Sequence, residues 1–99
     1  MTEAPTQPID LTAMLDQRAA SYGQFVNHAQ ISQSLKRVAR VFIDARARPL
    51  ADDQQEALDM IFVKIGRIIN GDPDFHDSWN DIAGYAQLVA DRLVRSEEH

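Results

Sequence analysis

Apolar residues recur at intervals of three and four along most of this chain, which is the spacing of helices with one buried side. Leu58, Ile61, Phe62 and Ile65 show it clearly. No stretch alternates apolar and polar residues for long enough to predict a strand. The pattern predicts helices over residues 11–20, 25–47, about 52–70 and about 75–95.

Residues that disfavour helix separate these segments. Gly23 and Gly71 follow the first and third predicted helices, and Pro49 prevents continuation of the second. The short connection after Gly71 makes the last two helices an antiparallel hairpin. We therefore expect one all-α, four-helix bundle-like domain over residues 10–96, behind a flexible tail of residues 1–9.

The last predicted helix has two sides that both require cover. One side is an apolar arc that includes Trp79 and Leu93 and is expected to face the main core. The other side combines Asp77 and Asp81 with Gly84 and is expected to be covered too. Four helices in 99 residues are too few to bury both sides of the last helix within one chain, so we expect a homo-oligomer, a dimer or larger.

Three local features carry further structural expectations. Gly66 and Gly84 each cost about 1 kcal/mol relative to alanine within a helix, so both predict a close helix approach. Asp53 and Glu56 have the spacing of a capping box at the start of the third helix. His28 lies at the edge of an apolar side and is expected to be structural.

Composition narrows the class of protein. The chain has no cysteine and no apolar run long enough for a membrane span, so we expect a cytoplasmic protein without a membrane partner. The net charge of −5 is unevenly distributed, with six basic and one acidic residue in 18–48 but four basic and eleven acidic residues in 49–99. This separation suits a site that holds a phosphate and a cation on different helices.

A pair of acids is the most specific candidate for chemistry. Asp77 and Asp81 are four residues apart, which places both carboxylates on one helix face, and Mg²⁺ prefers such oxygen ligands. Glu56 and Asp59 on the preceding helix are candidate additional ligands. The alternative is structural. In that interpretation the helix dipole favours Asp77, and Asp81 forms an ion pair with a basic residue, the candidates being Arg92, Lys64 and Arg67.

Basic residues supply a candidate phosphate site. Lys64 and Arg67 are three residues apart on the polar side of the third helix, and can contact phosphate or pair with the acids. His76 beside Asp77 is a candidate for proton transfer, or simply a residue at a helix start. The basic residues Lys36, Arg37 and Arg40 fit a solvated surface, so we expect no nucleic-acid partner.

Aromatic residues follow an arginine near the first helix break. Arg18, Tyr22, Gly23 and Phe25 form an RxxxYGxF run, in which the glycine permits a sharp turn. Its aromatic rings can anchor that turn or stack on a base. No glycine-rich phosphate loop and no nucleophile triad accompany the run.

These motifs resemble those of known proteins. The RxxxYGxF run, the KxxR pair Lys64/Arg67 and the HDSxxDxxGY block, residues 76–85, look like a family of small phage and prophage proteins of unassigned function. That group is distantly similar to the all-α MazG-like nucleoside triphosphate pyrophosphohydrolases. The second resemblance implies helix-borne acids that hold Mg²⁺, and assembly as dimers or tetramers. Ser78 stands where the MazG-like pattern has a glutamate.

The residues and the resemblance together yield a leading hypothesis. The chain is expected to be a nucleotide-binding, MazG-like phage protein, for which Mg²⁺-dependent nucleoside triphosphate pyrophosphohydrolysis is the candidate activity and is left open. In this hypothesis the acids hold the metal, the basic residues contact phosphate and a tyrosine stacks on the base. The expected catalytic residues are Asp77, Asp81 and His76. The expected metal ligands are Asp77, Asp81, Asp59 and Glu56. The expected nucleotide-binding residues are Lys64, Arg67, Tyr22, Tyr85 and Arg18.

Two alternatives remain open on the sequence. The first is a non-catalytic phage accessory protein that sequesters a nucleotide or binds and inhibits a host protein. The second is an oligomeric helical protein in which Asp77 and Asp81 only bridge to Lys64 and Arg67.

Overall fold

A computed structural model describes the main chain of residues 10–97 and the side chains of residues 10–96, and it confirms an all-α fold. Within this part of the chain there are four helices and no strand. The expected N-terminal tail lies outside the described residues. The helices are α1 (Leu11–Tyr22), α2 (Phe25–Asp44), α3 (Asp52–Asn70) and α4 (His76–Glu97).

Two helix ends differ from the expectation. Helix α2 stops at Asp44, three residues before the predicted end, where the Arg46 amide donates to the Ile43 carbonyl in a tighter turn. At the start of α3 the N-cap is Ala51, and its amide donates to the Gln54 side chain at 2.9 Å. The Asp53–Glu56 capping box is therefore wrong, because the helix begins earlier than that motif requires.

The junction of α1 with the end of α3 depends on one glycine and one asparagine. Gly23 ends α1 with φ +80°, in the left-handed region that favours glycine. The Asn70 side-chain amide donates to the carbonyls of Tyr22 at 3.0 Å and Gln24 at 2.9 Å. Beyond α3, the Asp72 amide donates to the Ser21 carbonyl at 2.9 Å. These bonds attach the end of α1 to the α3–α4 turn.

Helix α3 is the centre of a flat layer. It packs antiparallel against α2 on one side and against α4 on the other, whereas no Cα of α2 lies within 8 Å of a Cα of α4. His28 is buried on α2, as expected of a structural residue, and its ring Nε2 lies 3.0 Å from the Val63 carbonyl of α3. The α3–α4 hairpin is confirmed, but the helices form a layer rather than a closed bundle.

The layer buries almost no apolar side chain within one chain. Ala57 is the one buried hydrophobic residue among the described residues. Trp79 is 55% exposed and Leu93 is exposed as well, so the expectation that the apolar arc of α4 faces a core inside the chain is wrong. The reason is architectural, because a single layer of helices has no second layer to cover it.

The two helical glycines behave differently. A Cβ on Gly66 would lie 2.9 Å from Cδ2 of His28, so the predicted close approach exists and its partner is α2. A Cβ on Gly84 would meet nothing within 4 Å, so that approach is not made inside the chain. None of the helices in residues 10–97 combines the length and apolarity that crossing a bilayer requires.

Candidate functional site

The two broad faces of the layer have opposite chemical character. Ala57 and Val89 lie on the contact line between α3 and α4, and grooves open on both sides of this line. The helical period of 100° per residue identifies which residues of α2 lie on each of these two faces. The charged face bears the groove lined by Asp53, Glu56, Tyr85, Leu88, Arg92 and Arg95, and on α2 it carries Lys36 and Arg40. The apolar face bears the groove lined by Leu50, Gln54, Leu58, Ile61 and Ala86.

Two arginines converge on one tyrosine at the α1–α3 junction. The Arg67 guanidinium carbon lies 4.5 Å from the centroid of the Tyr22 ring, and that of Arg18 lies 5.8 Å from it. Phe75 supports the ring from its edge, with centroids 5.5 Å apart and planes at 87°. Among the side chains of residues 10–96, no carboxylate lies within 4 Å of either guanidinium. We call Arg18, Tyr22, Arg67 and Phe75 the arginine–tyrosine cluster.

This geometry bears on which of its two expected roles Tyr22 has. The ring packs against Phe75 at the turn and has guanidinium carbons 4.5 and 5.8 Å from its centroid, so less of its surface is left for a base. Its contribution is to hold two positive charges close together, at about 0.5 to 1 kcal/mol for each exposed cation–π contact. Of the two alternatives that the sequence leaves open for this ring, the structure favours anchoring.

Lys64 supplies a third positive charge one turn before Arg67. Its ammonium nitrogen lies 2.9 Å from Oδ2 of Asp81 on α4. The Lys64 side chain is 12% exposed and that of Asp81 is 43% exposed, so the lysine depends on this partner more than the aspartate does. Asp81 therefore pairs with Lys64 among the three partners that the sequence allows.

We predict that Asp81→Ala destabilises the fold by about 1 to 3 kcal/mol, because it leaves the Lys64 ammonium largely buried without a counterion. Thermal unfolding followed by circular dichroism measures this. The double variant Lys64→Met/Asp81→Ala is expected to recover most of the loss. An equal loss in the single and double variants would contradict this explanation.

The remaining predicted metal ligands are dispersed. Asp77 lies 3.7 Å from the ring of His76, and both side chains are largely exposed. Asp59 accepts a hydrogen bond from Gln55 at 3.1 Å, and Glu56 lines the groove beside Tyr85. Within the described residues, no three acidic or histidine side chains lie close enough together to hold one metal ion.

Gly84 and Tyr85 border an open groove on the charged face. This groove of about 420 Å³ is lined by Asn80, Asp81, Gly84, Tyr85 and Leu88. Because a side chain at position 84 would meet no neighbour, Gly84 leaves the floor of the groove free. The predicted residues Tyr85 and Asp81 therefore share this groove, whereas Arg18, Tyr22 and Arg67 lie together about one helical turn closer to the turn of the α3–α4 hairpin.

Sequence reasoning missed one ion pair. Arg92 donates two hydrogen bonds to Asp53, at 2.8 and 2.6 Å, and these bonds hold the pKa of the Asp53 carboxyl below its usual value of 3.8. The antiparallel register that places Lys64 opposite Asp81 also places Asp53 opposite Arg92. This pairing could have been found by aligning the two helices around the turn.

The lowered pKa of Asp53 predicts a pH dependence. A carboxyl with a lower pKa in the folded state than in the unfolded state stabilises the fold above its unfolded pKa, and this stabilisation is lost as pH falls through the folded pKa. The difference in melting temperature between wild type and Asp53→Asn is therefore expected to be small but present at neutral pH and to shrink below about pH 4. A difference that grew on acidification would contradict the pairing.

The fold and the site together define a small all-helical protein with one charged and one apolar face. Residues 11–93 match the family described as a domain of unknown function (DUF6378), and the chain belongs to that family. No curated protein and no solved structure matches the chain significantly. The family description names no activity, and it supports neither the MazG-like nor the phage resemblance, which stay predictions.

Proposed function

We propose that this protein binds a nucleotide on its charged face, with the phosphates held by the arginine–tyrosine cluster. The observation that carries the proposal is the convergence of Arg18 and Arg67 on Tyr22 without a carboxylate counterion among the described side chains. Like charges repel, so two guanidinium groups at one ring favour an anion between or beside them. Guanidinium groups match phosphate oxygens with paired hydrogen bonds.

The rest of the charged face supplies the remaining parts of such a site. Lys64 is one turn from Arg67 and adds positive charge toward the groove that contains Tyr85. Because the faces of Tyr22 are approached by the arginines, Tyr85 is the better candidate for stacking on a base, with Gly84 leaving room for the ring. A polyphosphate chain would then follow α3 from the cluster toward Asp81.

Calorimetric titration with nucleoside triphosphates and with inorganic triphosphate tests the phosphate site. Arg67→Ala and Arg18→Ala are each expected to weaken binding about tenfold, which corresponds to ~1.4 kcal/mol per guanidinium lost. Arg37→Ala is the matched control, since Arg37 is exposed on α2 and bonds only to the Ser34 hydroxyl in the described structure. Absence of binding by wild type, or equal weakening by the control, would refute the proposal.

A substitution at Gly84 tests the binding of the base independently of the binding of the phosphates. Gly84→Leu places a side chain into the open groove, and its Cβ would meet no other residue within 4 Å. We expect it to weaken nucleoside triphosphate binding at least several-fold and to leave inorganic triphosphate binding unchanged. Equal effects on both ligands would mean that the base does not occupy this groove.

Hydrolysis between the α and β phosphates is a further step of the proposal. Asp77 and Asp81 would hold Mg²⁺, which activates a water molecule, and His76 is the candidate for proton transfer. The Asp81 carboxylate would have to leave Lys64 to do so, which the phosphates could promote by attracting the lysine. Pyrophosphate release measured with Mg²⁺ distinguishes hydrolysis from sequestration. Wild-type turnover no greater than that of Asp81→Asn would show that the protein binds the nucleotide without hydrolysing it.

A further inference from the structure

We propose that the apolar face is the interface with a second copy of this chain, formed about a two-fold axis. The inference concerns the side of the layer opposite the nucleotide site and does not rest on nucleotide binding. It assigns the expected self-association to one surface, which the sequence pattern could not do.

The first argument is the composition of the face. The grooves and the helical period show which side chains of α2, α3 and α4 lie on this side, and within residues 25–44, 52–70 and 76–96 none of them is an aspartate, glutamate, lysine or arginine. The charged residues of α2 lie along its other sides, as Lys36, Arg37 and Arg40 show by lining a separate groove. The apolar face consists mainly of Ile31, Leu35, Val38, Phe42, Leu58, Ile61, Phe62, Ile65, Ile69, Trp79, Ile82, Ala86, Ala90 and Leu93.

The second argument is area. Six large apolar residues of this face are exposed in the single chain, namely Val38, Phe42, Leu58, Ile69, Trp79 and Leu93. Their exposed fractions correspond to about 700 Å² of surface, given that an aromatic side chain alone presents roughly 150 to 250 Å². A stable interface buries about 800 Å² per partner, so the face has the size that a dimer needs.

The third argument identifies the occupant. Because Ala57 is the one buried hydrophobic residue in the described chain, a single copy lacks the core that a domain of this size requires. A folded chain without its own core needs a partner to bury its apolar face. A second copy of the same chain is always present to do so. Face-to-face packing of two identical layers buries the same residues on both sides and makes a two-layer core.

The indole of Trp79 is oriented for such an interface. Its ring N–H donates to the Pro73 carbonyl at 2.7 Å, so its polar atom is satisfied within the chain. The remaining ring surface can then be covered by apolar groups without losing a hydrogen bond. Since Trp79 is the only tryptophan, its fluorescence reports the state of the face.

The test compares two valines on α2. Val38 is 63% exposed on the apolar face, and Val41 is 66% exposed about 60° further around the same helix, toward its outer edge. Wild type and Val41→Glu are expected to sediment as dimers with blue-shifted tryptophan emission. Val38→Glu is expected to shift to monomer at the same concentration, with red-shifted emission.

A second measurement keeps the test decisive if Val38→Glu fails to fold. The chain has no cysteine, so Val38→Cys and Val41→Cys each introduce one unique thiol. In the native protein the thiol at position 41 is expected to react with a maleimide at least tenfold faster than that at position 38. Equal reaction rates, or a wild type that sediments as a monomer at micromolar concentration, would overturn the proposal.

Discussion

Gly23→Ala is expected to lower the free energy of unfolding by about 3 to 5 kcal/mol. Gly23 has φ +80° and ψ −171°, a conformation that costs a side chain about 1 to 3 kcal/mol. A Cβ there would also overlap the main-chain oxygen and the side-chain amide of Asn70. Relief of this overlap requires breaking the bonds by which Asn70 holds Tyr22 and Gln24. For a chain of this length, the melting temperature should fall by more than about 12 °C.

The matched control is Gly84→Ala. It replaces the same residue type in a helix whose surroundings are open, so helix propensity alone acts, and stability should rise by up to about 1 kcal/mol. Opposite signs at the two glycines are expected in thermal unfolding. A destabilisation of Gly23→Ala no greater than about 1 kcal/mol would show that the α1–α3 junction is not rigid.

Gly23→Ala also bears on the site. The junction brings Tyr22, which has Arg18 beside it on α1, against Arg67 of α3, so its disruption moves Arg67 away from Arg18. We therefore expect Gly23→Ala to weaken triphosphate binding about as much as loss of one arginine, even below its melting temperature. Retained affinity in this variant would mean that α1 does not contribute to the phosphate site.

Gly66→Leu is expected to destabilise the protein by about 3 kcal/mol. Even a Cβ at this position would lie 2.9 Å from the His28 ring, and the ring cannot move away without losing its hydrogen bond to Val63. Overpacking costs typically about 1 to 3 kcal/mol, and the lost bond adds about 1 kcal/mol.

A double-variant cycle identifies the cause of that loss. His28→Ala removes the ring that a leucine at position 66 would displace, so the cost of Gly66→Leu should be at least about 1 kcal/mol smaller in the His28→Ala background. Equal costs in both backgrounds, measured by urea unfolding, would show that His28 is not the obstacle.

The helices follow from the sequence because their causes are local. The spacing of Leu58, Ile61 and Ile65 and the stops at Gly23 and Gly71 act over a few residues, and all of them appear where the pattern predicts. The start of α3 at Ala51 rather than Asp53 does not follow from N-cap preference, because alanine is a poor N-cap; the Gln54 side chain instead accepts a hydrogen bond from the Ala51 amide.

The candidate site depended on distances between helices that spacing does not provide. The sequence left Asp81 with three possible basic partners and Tyr22 with two possible functions. Only the register of α3 against α4 selects Lys64 for Asp81, and only the α1–α3 junction brings Arg67 to Tyr22, beside which the helical period already places Arg18. Metal binding and hydrolysis stay predictions, and the described carboxylates are not gathered into one cluster.

What the sequence determined by itself is four helices, their order and the residues that end them, since apolar periodicity and helix-stopping residues are local properties. What only the tertiary structure decided is that α2, α3 and α4 form one layer with a charged and an apolar face. That outcome depends on which sides of α3 contact its neighbours, and a helix with apolar residues on several sides can satisfy more than one arrangement until its partners are in place.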